Sequence, residues 1–132
     1  MICKNYTVTG EDVDDIMVME KTAYISYTIR LLYRFLYDNG FSREKLNHLN
    51  LGIQQVNHGL VCYKNLMFTE HFLVEMNQFN IEDKINFKSF FFNSKNECCA
   101  EISNEVQWFD PISRNIVATP KHILQHFSIQ NK

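Results

Sequence analysis

The chain has 132 residues, of which 45% are hydrophobic, 21% charged and 14% aromatic, with a formal net charge of -2. This is the composition of a globular protein, not a disordered one. The length fits one domain over residues 1–132, and scattered basic residues leave no electrostatic footprint for nucleic acid. Cys3, Cys62, Cys98 and Cys99 form no CxxC pair. In a strand the adjacent Cys98 and Cys99 face opposite ways, so neither a disulfide framework nor a zinc site is indicated, and no metal is expected. Reduced thiols in a cytoplasmic protein are the simpler expectation. The N-terminal residues lack an apolar core of signal-peptide length, and no stretch is long enough to span a membrane.

In chain order, residues 4 to 10, KNYTVTG, are expected to form a short first strand. Residues 22 to 38, TAYISYTIRLLYRFLYD, predict one long helix whose apolar residues surround the axis. Thr22, Ser26, Arg30 and Arg34 fall at i, i+4 spacing and leave only a narrow polar ridge. A helix this apolar is buried on most sides, and Asn39-Gly40 supplies the left-handed residue that ends it. Strands follow. Residues 51 to 63 place Val56, His58, Leu60 and Cys62 on one parity. Phe72, Val74 and Met76 alternate in the next run, and residues 85 to 93 are rich in Phe. Cys98, Ala100, Ile102, Val106 and Trp108 share a face, opposite Glu97, Glu101, Ser103, Glu105 and Gln107. Asp110-Pro111 begins a turn, residues 116 to 118 offer a short last strand, and Pro120 stops it. One helix that needs cover, and strands joined by short links, predict an antiparallel sheet curled around that helix.

Between the first strand and the helix lies DVDDIMVMEKTAY, residues 12 to 24. The order of short strand, DVD, buried helix and meander resembles the hotdog-fold acyl-CoA thioesterases of the 4-hydroxybenzoyl-CoA thioesterase-like type. The resemblance runs from about Tyr6 to Leu124. Asp12 and Asp14 take the acidic positions of that family's D-x-D-x-x-G motif, and Tyr24 stands at the family's spacing without a gap. Gly40, Gly52, Tyr63 and Pro120 follow in the family's order. The departures are specific: Met17 replaces the motif's Gly, the Asn residues common before the Tyr are absent, and the helix turn that carries a Glu in many relatives is TIRLL here. The resemblance implies an α+β hotdog fold, with a five- or six-stranded antiparallel sheet wrapped around one long helix.

It also implies an acyl-CoA or acyl carrier protein thioesterase with Asp14 as the catalytic carboxylate. The oxyanion donor would be the backbone amide of Lys21 or Thr22 at the helix entrance, where unpaired N–H groups and the helix dipole favour negative charge. Tyr24 lines the acyl pocket in this reading, and Tyr63 contributes to substrate binding. Asp12 holds the turn through side-chain to backbone hydrogen bonds, Asp15 faces solvent, and Glu20 is a lesser candidate. The resemblance further implies a homodimer or homotetramer, and no cofactor beyond the coenzyme A of the substrate. Lys64, Lys84, Lys88 and Arg114 are available for its phosphates. Two alternatives stay open: a catalytically degenerate hotdog domain that binds acyl thioesters or acts in assembly, and, ranked last, a hotdog dehydratase. His58, in NHG, follows the helix and is expected as a strand histidine; the remaining histidines show no metal-ligand spacing.

Overall fold

The long helix expected over residues 22–38 spans Lys21–Asp38 (α1) and is buried around most of its girth. Ala23, Tyr24, Tyr27, Thr28, Leu31, Leu32, Phe35 and Leu36 are all inside. Fully burying one such aliphatic side chain is worth about 1.5–3 kcal/mol, so α1 is the principal source of buried apolar area. Thr22, Arg30 and Arg34 of the polar ridge are exposed and Ser26 is half-buried. Gly40, at φ 92°, takes the left-handed position after the helix that an L side chain resists. The structure is a computed structural model that describes residues 2–81 and 84–130, with only the backbone described for residues 78, 79, 81 and 126–130.

An antiparallel sheet supplies the cover. Its strands are Ile2–Thr7 (β1), Gly52–Cys62 (β2), His71–Ile81 (β3), Ile85–Asn93 (β4), Cys98–Phe109 (β5) and Ile116–Val117 (β6). The spatial order is β1-β3-β4-β5-β2, and β6 pairs with β5 at Trp108 and Phe109, beyond the last residue of β4 that pairs there. Inward residues alternate along the central strands: Phe72, Val74 and Met76 on β3, Ile85, Phe87 and Phe91 on β4, and Ala100, Ile102, Val106 and Trp108 on β5. Phe91 is fully buried and meets Tyr24 edge-on at 5.0 Å between ring centroids. Phe90 and Phe92 are half-buried on the opposite face.

Two bulges change the expected faces. On β5 the register shifts so that Phe91 pairs with Ala100 and Phe92 with Cys98, which leaves Cys99 as the extra residue. Cys99 is therefore fully buried beside Ala100 and Cys98 is exposed, the reverse of the face assigned from strict alternation. On β2 the shift falls between Gln55 and Asn57, so Val56 is the extra residue and is exposed. Of Val56, His58, Leu60 and Cys62, only Leu60 packs against the core.

Two further helices were not expected: Arg43–His48 (α2) and Lys121–Gln130 (α3). Ser42 caps α2 by accepting from the Lys45 amide, and Leu46 is its buried anchor. Ile123 anchors α3. Pro120, expected to stop the last strand, lies just before α3, and its carbonyl accepts from the Ile123 and Leu124 amides. At Gly52, opposite Phe109 on β5, an added Cβ would fall 2.5 Å from that ring, so the absence of a side chain lets the aromatic lie over the strand. Truncating Phe91 to Ala empties the contact between sheet and helix, and urea denaturation should show a loss of about 3–5 kcal/mol.

Candidate active site

The segment between β1 and α1 is a tight hairpin on a small capped turn. Residues Gly10–Asp12 form one turn of 3-10 helix, and Asp12 closes it. The Asp12 carboxylate is buried, and its Oδ2 accepts from the Thr9 amide at 2.9 Å, the Thr9 hydroxyl at 3.0 Å and the Tyr27 hydroxyl at 2.5 Å. Its carbonyl accepts from the Glu20 amide at 2.8 Å. Asp12 thereby ties both ends of the hairpin to the second turn of α1. Burial and the adjacent carboxylate push the Tyr27 phenol up to about 12, against the opposing charge of Arg30.

The hairpin pairs Val13 with Met19, and Val18 pairs with Met67 of the loop before β3. Met17 sits at φ 66°, a conformation that glycine takes without strain. Met17 stands at the Gly position of the motif that the sequence resembles, and it carries the left-handed conformation there. The carbonyl of Met17 accepts from the Phe68 amide and that of Leu66 from the Met19 amide, and these bonds clamp the turn against a loop anchored by the fully buried Leu66.

Asp14 stands at the base of this turn. Its Oδ1 accepts from the amides of Ile16 and Val18, each at 3.0 Å, while its backbone amide donates to the Val18 carbonyl. Both side-chain bonds fall on one oxygen. Among the described residues Oδ2 has no hydrogen-bond partner. Asp15 is exposed. Two residues beyond Val18, Glu20 leads the chain into α1, and its side chain does not cap the helix. Glu20 accepts at its carbonyl from the Ala23 and Tyr24 amides. The amides of Lys21 and Thr22, the first two of the helix, have no partner among the described residues, and both residues are exposed. A free carboxylate oxygen and free amide donors thus occupy consecutive parts of one short, rigid connection.

The two tyrosines lie differently. Tyr24 is buried against Phe91, and its hydroxyl sits near Cys62, Cys99 and the Leu66 backbone with no hydrogen bond of good geometry. Burial, with Cys62 next in effect, raises its pKa well above the ordinary phenol value. Tyr63, just past β2, is exposed and its hydroxyl donates to Glu101 at 3.1 Å, a bond that raises its pKa. His58 is exposed on β2. Among the described residues no group of three or more His, Cys, Asp or Glu could hold a metal ion; the side chain of His126 is outside them. No helix among them is long and apolar enough to cross a membrane.

No family profile and no curated protein matches the sequence. Solved structures do. The chain is similar to a hypothetical protein from Staphylococcus aureus characterised in complex with CoA, with a TM-score of 0.87 at 16% identity over 99% of this chain and 85% of that one. It is similar to a DHNA-CoA thioesterase from the same organism, with a TM-score of 0.87 at 13% identity over 97% and 89%. A probable thioesterase from Escherichia coli gives 0.78 at 12% identity over the whole of both chains.

Two outcomes test the local chemistry. Replacing Met17 with Gly relieves the left-handed backbone, and the unfolding free energy measured in urea should rise by up to about 1 kcal/mol. The Tyr27 phenol is raised in the folded state, so its contribution to stability is complete below pH about 10 and is lost as pH climbs towards about 12. Tyr27→Phe should therefore flatten part of the fall in denaturation midpoint across that window. With a sheet wrapped around one long helix, and neighbours of that architecture among the thioesterases, this chain has the hotdog fold.

Proposed function

We propose that the protein hydrolyses an acyl thioester of coenzyme A or of an acyl carrier protein, with Asp14 as the reacting carboxylate. The observation that carries this reading is that an uncommitted Asp14 Oδ2 and the unpartnered Lys21 and Thr22 amides stand on one clamped connection. Thioester cleavage needs a nucleophile or base on one side of the carbonyl and a donor on the other. In the nucleophilic form, Oδ2 attacks the carbonyl carbon, the thiolate leaves, and water then hydrolyses the mixed anhydride to release the acid and regenerate Asp14. In the general-base form, Oδ2 takes a proton from the water that attacks. In both, the Lys21 or Thr22 amide holds the charge that develops on the carbonyl oxygen, aided by the positive end of the α1 dipole.

Tyr24 and Tyr63 fit substrate roles of different kinds. Tyr24, buried against Phe91 with a hydroxyl that has no hydrogen bond, would form the apolar backing of the acyl site in this reading. Tyr63 offers an exposed ring at the end of β2. The outer edge of β2 is eleven residues of unpaired strand, and an open edge of that length favours pairing with a second copy into one continuous sheet. The reading therefore includes a homodimer, with a homotetramer as its doubling, and needs no cofactor beyond the substrate's own coenzyme A. Four unpaired cysteines, three of them exposed, fit the reducing cytoplasm.

One observation favours the second reading, a hotdog domain that binds thioesters without hydrolysing them. The two amides on Oδ1 make Asp14 a good turn-closing residue whether or not it reacts. A panel of short, long and aromatic acyl-CoAs separates the two. Free thiol should appear with at least one of them, and Asp14→Asn should reduce its release at least a hundredfold while light scattering still finds the same oligomer. Binding of acyl-CoA without release of thiol would establish the second reading instead.

A further inference from the structure

The lysines that the sequence offers for coenzyme A phosphates are engaged elsewhere. Lys64 pairs with Glu97 at 3.1 Å, Lys84 with Glu105 at 3.0 Å and Lys88 with Glu101 at 2.9 Å. Four cations, three of them without a carboxylate partner among the described residues, cluster on another part of the molecule. Arg30, Tyr33, Arg34 and Tyr37 follow the i, i+3, i+4, i+7 rhythm of one helix face, so they form the open stripe of α1 that the sheet does not cover. Lys4 and Tyr6, two apart on β1, flank the stripe on one side. Arg43, in the first turn of α2, flanks it on the other. Together they line an open groove of about 600 Å³.

The lining holds four of the chain's thirteen Lys and Arg residues and no carboxylate, in a protein whose net charge is -2. Only Arg34 has an acidic partner, Asp38 at 3.2 Å, and both of those side chains are largely exposed. The other cations are set against aromatic rings: Arg43 over Tyr33 at 4.2 Å, Arg30 over Tyr27 at 4.7 Å and Lys4 over Tyr6 at 5.3 Å. Such stacking orients a guanidinium while leaving its in-plane N–H donors free for an anion. Burial raises the Tyr6 pKa, against the opposing charges of Arg30 and Arg34.

We propose that this groove binds the phosphorylated end of a nucleotide, with Arg30, Arg34, Arg43 and Lys4 on the phosphates and the exposed Tyr37 ring, beside the half-buried Tyr33, against the base. Arginine forks suit phosphate oxygens, and an open aromatic stripe suits a planar base. The groove begins about eight residues along α1 from the helix entrance, or roughly 12 Å at 1.5 Å per residue. That spacing separates the nucleotide from the reacting carbonyl by the length of a linker arm. Two sources carry this chemistry: the nucleotide of coenzyme A, a form that rests on the thioesterase reading, and a free nucleoside diphosphate, which does not.

Calorimetric titration with ADP and with coenzyme A tests the site without any hydrolysis, so an inactive protein does not affect the result. At least one of the two should bind, more weakly as ionic strength rises, and Arg30→Gln/Arg43→Gln should weaken that binding tenfold or more. Lys95→Gln, outside the groove, should leave it unchanged. Coenzyme A binding tenfold tighter than ADP identifies the substrate's nucleotide; equal binding identifies a free nucleotide. In the wild-type protein, backbone amide shifts caused by the ligand should centre on residues 4–6, 30–37 and 43. No binding of either compound overturns the proposal. So do shifts centred elsewhere, undiminished binding in the double variant, or salt-sensitive capture of an acidic carrier protein with no response to ADP.

Discussion

A helix that is apolar around nearly its whole circumference cannot be satisfied by a flat sheet, because a flat layer covers only one side. Tyr27 and Leu36, nine positions apart and so on opposite sides of α1, are both buried, which obliges the strands to bend around the helix. The bulges at Val56 and Cys99 belong to this constraint, since an extra residue bends a strand and raises its twist where the sheet must turn. The helix's exposed stripe is what remains when the cover runs out between β1 and α2. The groove with its arginines is therefore a by-product of the same geometry that builds the core.

The helix entrance is fixed by a different set of forces, mostly polar and mostly local. Asp12 collects three donors on one oxygen, Asp14 two on another, and the loop around Leu66 adds backbone bonds to the hairpin. Hydrogen bonds to a charged acceptor are about twice as strong as neutral ones, so two neighbouring carboxylates can hold a strained turn containing Met17. In the proposed reaction, a carboxylate and amide donors that are already held in place need not be ordered during the chemical step.

Much of this was legible in the sequence. The all-round apolar pattern of residues 22–38 gave the helix, and period-two patterns gave the strands, because both repeat over many residues. Spacing placed Asp14 and the helix entrance on one connection. What escaped were features settled by three-dimensional curvature or by few residues. Cys98 and Cys99 differ in nothing that alternation can see, and the bulge alone decides which goes inside. The short α2 has one buried anchor, Leu46, and too little length for a periodic signal. Pro120 is equally at home ending a strand or preceding a helix. The groove joins β1, α1 and α2, three elements whose cationic residues are too far apart along the chain to register as a cluster.

The covered backbone at Gly52 sets a limit on how this sequence can drift. With the Phe109 ring across it, even a methyl group there must displace an aromatic side chain at the mouth of the sheet. Gly59, farther along the same strand, faces open space, and a new side chain would meet no neighbour. Two glycines seven positions apart are thus under opposite regimes: one is held by its surroundings, while the other can be exchanged with little steric consequence.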